Sequence, residues 1–384
     1  MCRVRLCRDV DSRYLTPHAG ALLKITQIDS WLVDIPQKPP IAPYTNRYSA
    51  GTSKTALILR VETDDGLVGW GESPQRWISG QPFDGTEARL IRGRLVGWDP
   101  FDVERLYLEG GIDDVFLLSG VEMAFWDLMG KATRRPLYQL LGGAVRSKDI
   151  ELAACMGIQP YDRAGEIARL YVEMGFSTLK TKAGRDADED LTMVRGVRDA
   201  VGDQLKLRID ANMGYSPQEA FNLAKDLEPY SLEYFEQPVP QFEVAAAAEI
   251  RHRTTTPVGL NESVTTLESV LEIIGQGAAD VLLPDTYQCG GILAVKKVAA
   301  LAEAAGIPCV MHCAHDLGPK TAAMLHVVVS SPGFNLANDC TYYGLVDDIL
   351  ARPFTIERGQ MRVPESPGLG VDVDPEKLQR YRKS

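Results

Sequence analysis

From residue 150 onward, short β-rich apolar runs alternate with stretches whose apolar residues recur every three to four positions. That is the texture of a parallel sheet wound with helices. The pattern predicts strands at 150–156, 176–182, 205–211, 232–237, 257–262, 279–285, 308–313 and 334–340, with helical periods between them. Leu267, Val270, Leu271 and Ile274 follow the i, i+3, i+4, i+7 spacing, and Val295, Val298, Ala299 and Ala302 repeat it. Each such helix has one apolar stripe to lay on the sheet. Eight strands with helices in the gaps predict closure into an α/β barrel.

The first part of the chain reads differently. Residues 25–36 and 54–72 have the pattern of an antiparallel meander, with Asp64-Asp65-Gly66 as a tight turn. Helices are expected at 87–96, 102–108 and 121–132, and a short one closed by a glycine stop at 136–143. Between the strands, 37–53 holds prolines and a glycine among polar residues, a composition suited to a binding loop or lid. These expectations divide the chain into a loose extension (1–22), an α+β unit (23–145), a barrel (146–340) and an irregular segment (341–384) with no convincing eighth helix.

Composition narrows the classes. With 45% hydrophobic and 24% charged residues, the 384-residue chain can bury a sizeable core. A net charge of −11 argues against general affinity for nucleic acid or anionic lipid, which needs a basic surface. Seven cysteines scattered from Cys2 to Cys340 read as reduced thiols of a cytosolic protein. No stretch has the apolar length of a membrane helix. The N-terminal arginines Arg3, Arg5, Arg8 and Arg13 are interrupted by Asp9 and Asp11, which favours an extension over a targeting signal.

The chemistry-bearing residues fall at the C-terminal ends of the predicted barrel strands: Lys180 and Lys182, Asp210, Glu236, Glu262, Asp285 and His312. In a closed parallel barrel these ends converge on one rim. Asp210, Glu236 and Glu262 would repel one another there unless a cation neutralised them, and an all-oxygen set suits magnesium. Read singly, each is an ordinary surface charge. Asn212 lies on the same face of its strand as Asp210 and can add a neutral hydrogen bond. Lys180 and Lys182 project to one side, and two ammonium groups beside a cation disfavour protonation, so one lysine could act as a base. His312 ends its strand one unit after Asp285, which can orient the imidazole for acid–base work opposite Lys182. His315 and Asp316 form a competing pair in the loop beyond.

Taken in register, Lys180-Thr181-Lys182-Ala183-Gly184, Asp210-Ala211-Asn212, Glu236-Gln237-Pro238, Glu262-Ser263 and Asp285 ahead of Gly290-Gly291 resemble the mandelate racemase branch of the enolase superfamily. Gly69-Trp70-Gly71-Glu72 and Ala124-Phe125-Trp126-Asp127 through Leu141-Gly142-Gly143 look like that family's capping domain. The resemblance implies a modified TIM barrel of the (β/α)7β type with an N-terminal α+β capping domain, to which 341–384 returns. It implies Asp210, Glu236 and Glu262 as Mg2+ ligands, Lys182 with Lys180 on one substrate face, and Asp285–His312 on the other. It also implies a small carboxylate substrate and a homo-oligomer, dimer to octamer.

Two departures stand out. Asn261 replaces an acidic residue beside the third ligand and would affect only the outer shell. In the last strand Ala337 stands where several relatives place a glutamate, leaving Asn338 or Asp339 to assist the substrate carboxylate. A histidine on the second face leans towards protonating a leaving hydroxyl, which is dehydration of a sugar acid to a 2-keto-3-deoxy acid. Racemization or epimerization, cycloisomerization, a metal-dependent hydrolase and a non-catalytic anion-binding barrel are the alternatives. Substrate choice is expected to rest on 37–53 and 75–82.

Overall fold

The computed structural model describes residues 23–74 and 86–383. The expected extension over 1–22 and the 75–82 stretch lie outside the described residues. Ile25–Pro36, Ser53–Thr63 and Val68–Pro74 form the antiparallel meander, with Pro36 opposite Ser53 and Ala56 opposite Pro74. Its apolar face packs on a helix, Val115–Thr133, and the contact is so close that it requires glycine. A Cβ on Gly71 would lie 1.8 Å from the carbonyl oxygen of Gly120. That helix begins earlier than the sequence expectation of residue 121, because Asp114 caps it by accepting from the Phe116 and Leu117 amides.

The barrel strands Asp149–Met156, Thr178–Lys182, Lys206–Asp210, Tyr234–Glu236, Val258–Leu260 and Val281–Leu282 pair in parallel in that order. Most are shorter than their apolar runs. The run 308–313 forms no strand of its own, only a bridge between Leu282 and Cys309, yet its backbone still joins the ring. Val310 donates to Leu282 at 3.0 Å, and Asp339 donates to Met311 at 3.2 Å. Asn338–Asp339 then pairs with Leu152 and Ala153 of the first strand, closing the barrel. The helices between are Tyr161–Glu173, Ala187–Val201, Pro217–Leu227, Val244–Arg253, Leu267–Gln276, Ile292–Ala304 and Gly318–Val329.

One helix sits rotated from its expected face. Leu267–Gln276 buries Val270 and Ile273, whereas Leu271 is 55% exposed, so the apolar stripe runs one position away from the 267/270/271/274 reading. In Ile292–Ala304 the expected Val295, Val298, Ala299 and Ala302 are all buried. The 341–383 segment holds a short helix, Pro375–Arg380, capped by Asp374. Sequence patterning does not reveal it because six residues carry less than two turns of periodicity. The segment pairs Gln360–Arg362 with the start of the first barrel strand, and Lys383 donates to Leu32 of the meander.

A buried carboxylate on the helix beneath the meander joins it to the barrel. Glu122, 0% exposed, accepts from Trp126 Nε1 and Tyr107 Oη on its own side and from the Ile292 and Leu293 amides that open a barrel helix. Burial pushes its carboxyl up to about 7 from an ordinary 4.5, against the pull of those donors. The folded chain therefore holds more protons than the unfolded chain between these values, and this contribution to stability falls as pH rises through that window. Glu122→Gln should lose about 1–3 kcal/mol of stability through unmatched donors, read by urea unfolding above neutrality. It should also flatten part of the decline below neutrality, while other buried carboxyls, among them Glu72, pushed up to about 7, and Asp190, pushed up to about 6, keep their share.

Candidate active site at the barrel mouth

The strand alternation that puts Lys180 and Lys182 on one face also turns Arg208 and Asp210 inward on the next strand, in register with them. The close approach of the loops after these strands depends on Gly184, whose φ is +93° and whose Cβ would lie 2.1 Å from the Ala211 carbonyl oxygen. Lys180, 2% exposed, donates to Glu236 Oε1 at 2.6 Å and Asp339 Oδ2 at 2.8 Å, and lies 3.2 Å from Asp210 Oδ2. Burial opposes its charge, but Asp339, Glu236 and Asp210 together outweigh that and hold the ammonium well above the usual lysine range. Three carboxylates thus surround the Lys180 ammonium. Lys182 is more exposed and has one carboxylate partner, Asp210 Oδ2 at 2.5 Å.

The carboxylates separate by environment. Burial opposes ionisation of Asp210, yet Lys182 and Lys180 keep it below the ordinary carboxylate range. Burial and the neighbouring Asp210 push Glu236 well above that range, and raise Glu262 in the same way. Glu262 Oε1 accepts from Asn212 Nδ2 at 3.0 Å, while the Asn212 amide caps Asp210 Oδ1 at 2.9 Å. Among the described residues, the ligand atoms lying within 4.8 Å of one another belong to Asp210, Glu236 and His312. Glu262, expected from sequence as the third of the set, is not in that group; it accepts from Asn212 and lines the same cavity.

Two carboxylate oxygens bear on whether a cation fits. Glu236 Oε2 and Glu262 Oε2 are shielded from solvent without a hydrogen-bond partner, a costly state for a buried carboxyl oxygen. An all-oxygen donor set with two unpartnered oxygens suits a hard divalent cation, whose charge would favour the ionised form of both carboxyls.

His312 Nδ1 meets Asp285 Oδ2 at 2.7 Å. Asp285 is 1% exposed, and although burial opposes its charge, Lys320 and His312 hold it below the ordinary carboxylate range. The rival pair does not form. His315 Nδ1 contacts Gln37 Nε2 at 2.8 Å and its ring meets Tyr44 edge-on, so it braces the 37–53 loop. Asp316 instead bonds Lys320 and the Ala314 amide. The same loop is clasped to the barrel by Arg47, which donates to the carbonyls of Asn212 and Met213.

Of the two last-strand candidates, Asp339 reaches the site through Lys180. Asn338 does not: its Oδ1 accepts from the Met311 amide and its Nδ2 donates to the Leu336 carbonyl, so its side chain is consumed in closing the barrel. Asn261 Nδ2 bonds the Leu283 carbonyl, outside the carboxylate set.

Sequence reasoning misses three participants. Arg208, 0% exposed, bonds Asp339 Oδ1 at 3.2 Å and the Ala337 carbonyl at 2.9 Å beneath Lys180. Its position two residues before Asp210 was a usable signal. Lys320 lies in a helix and Glu72 in the meander, and the approach of Lys320 to Asp285 and of Glu72 to the Lys320 amide has no signature in local sequence. Lys180, Lys182, Asn212, Glu262, Asp285, His312 and Asp339 open on one cavity of about 710 Å3. The five cysteines among the described residues are free, and no helix there is long and apolar enough to cross a membrane.

Known proteins share this architecture. The D-galactarolactone cycloisomerase of Agrobacterium fabrum is 28% identical over 94% of this chain and 99% of its own length. The D-gluconate dehydratase of Thermoproteus tenax is 29% identical over 94% and 78%. A crystal structure of a dipeptide epimerase from Enterococcus faecalis, complexed with Mg and the dipeptide L-Leu-L-Tyr, superposes with a TM-score of 0.84 at 27% identity, covering 91% of this chain and 99% of that one. Residues 32–142 match the mandelate racemase / muconate lactonizing enzyme N-terminal domain, and residues 162–377 match the enolase C-terminal domain-like family. The chain therefore belongs to the mandelate racemase / muconate lactonizing enzyme family of the enolase superfamily.

Proposed function

We propose that this protein abstracts the α-proton of a small carboxylate substrate with Lys182 and completes the reaction with His312 from the opposite wall, most simply as dehydration of a sugar acid to a 2-keto-3-deoxy acid. The reading rests on one observation. A lysine and a carboxylate-bound histidine open on the same cavity above a floor of acidic residues.

Asp210, Glu236 and Glu262 are the residues that would hold magnesium, the metal present with the dipeptide epimerase above. Bound there, the ion would supply fixed positive charge to offset the second negative charge that develops on the substrate carboxylate. Lys182 is the better base, because a base must be neutral before it accepts the proton, and neutral Lys182 gives up one carboxylate contact where neutral Lys180 would give up three. Lys180 keeps its proton and orients Glu236 and Asp339. His312, held through Nδ1, leaves Nε2 to give a proton to a departing β-hydroxyl.

A second reading has its own support. The described cavity wall includes Tyr44, Pro74, Val115, Phe116 and Met213, surfaces with few partners for a polyhydroxy chain. Such a wall favours epimerization of an acid with an apolar substituent, His312 returning the proton to the α-carbon. One panel separates the two. Aldonates, aldarates and N-acyl or dipeptide acids are incubated with magnesium in deuterated water, and 2-keto acid formation and α-deuteration are followed together. Keto acid from a sugar acid supports dehydration; deuteration with inversion and no keto acid supports epimerization. Neither signal with any acid counts against the whole scheme.

A further inference from the structure

The second wall of the site is anchored by a network that the reaction scheme does not use. Asp285 presents its two oxygens to different partners. Oδ2 faces His312 Nδ1, while Oδ1 accepts from the Tyr287 amide at 2.8 Å and lies 2.9 Å from Lys320 Nζ. Lys320 is 1% exposed, and its ammonium also meets Asp316 Oδ2 at 2.9 Å and sits 3.9 Å from the centre of the Tyr287 ring. The meander reaches the same place. Glu72 accepts from Tyr287 Oη at 2.7 Å and from the Leu317 and Lys320 amides, clamping the start of the Lys320 helix against the capping domain.

Buried ion pairs rarely add net stability over apolar side chains of similar size, so a fully buried lysine at this point is poorly explained by stability. Orientation explains it better. A carboxylate held only by an imidazole can rotate about its own bond and take the ring with it. Here rotation of Asp285 would break the Lys320 and Tyr287 contacts together. We propose that Lys320 is a positioning residue, which locks Asp285 from the side opposite His312 so that the imidazole keeps one orientation towards the cavity. The functional half of this inference rests on the role given to His312 above; the structural half does not.

The test reads the His312–Asp285 hydrogen bond directly. In proton NMR of the full-length protein without substrate, the shared Nδ1–H should give a downfield resonance, assigned by its disappearance in Asp285→Asn. Lys320→Met should shift that resonance upfield or broaden it beyond detection. Asp316→Asn, which removes the other carboxylate partner of Lys320, should leave it in place. Should the methionine variant not fold, Lys320→Gln is read in the same way. An unchanged resonance in the Lys320 variant, or equal loss in Asp316→Asn, overturns the proposal.

Kinetics supplies the second arm. With an acid that the panel identifies, Lys320→Met should lower kcat by about 10- to 100-fold, the usual cost of removing such an outer partner, with KM little changed. In Asp285→Asn the same substitution should add almost nothing, since the residue through which it acts is gone. Effects that multiply instead would reassign Lys320 to general structure. Absence of α-proton exchange in the unsubstituted protein would defeat the proposed function, whereas the resonance still decides the position of Lys320.

Discussion

Lys182→Ala is expected to slow α-proton exchange by about 10²- to 10⁴-fold, the range that a positioned general base contributes. The fold should survive the change. Lys182 gives up a single contact, to Asp210, and Asp210 keeps Lys180 at 3.2 Å, so no buried anion is stranded. KM should move little if the side chain acts in the transition state more than in binding. The comparison with Lys180→Ala sharpens the assignment. That variant leaves Glu236, Asp339 and Asp210 buried around a missing cation, and its defect should appear first as a loss of thermal stability. Exchange measured by mass increase in deuterated water, beside a melting curve, distinguishes a lost base from a lost scaffold. Rapid exchange in Lys182→Ala would move the base elsewhere.

Glu236→Gln should weaken magnesium binding by at least about 100-fold, since even outer-shell changes at metal sites cost 10- to 100-fold. The glutamine oxygen can still accept from Lys180 Nζ, which now donates to Glu236 Oε1 at 2.6 Å, so the metal-free protein should unfold close to its parent. What disappears is the stabilisation that magnesium confers by mass action, about 2.7 kcal/mol when the ion stands at a hundred times its dissociation constant. Calorimetric titration and melting with and without magnesium measure the two effects. A melting shift that persists in Glu236→Gln would remove Glu236 from the set and leave Asp210 and Glu262 to be tested with other partners.

Much of this site could be read before any coordinates, and the reason is periodicity. Because alternate residues of a strand share a face, Lys180 and Lys182 can be paired from spacing alone, whereas Asn212, expected on the face of Asp210, lies beyond the end of that strand with φ +44° and reaches Asp210 through its backbone amide in the turn. The same regularity located the meander, its turn and the barrel helices, since each rests on contacts within a few residues. It failed where the periodic signal was short or off centre, as at the Asp114 cap, the Pro375–Arg380 helix and the rotated stripe of Leu267–Gln276.

Which charge meets which partner was decided only by the closed ring. Asn338 and Asp339 are neighbours in the last strand, yet one spends its side chain on the Met311 amide and the other reaches Lys180 and Arg208. Glu262 accepts from Asn212, and Lys320 and Glu72 support the Asp285–His312 pair from distant parts of the chain. Local patterning sets the direction of a side chain, but the partner of a buried charge depends on every element that crowds around it. In a low-dielectric interior that choice carries the largest energies, and residues remote in sequence make it.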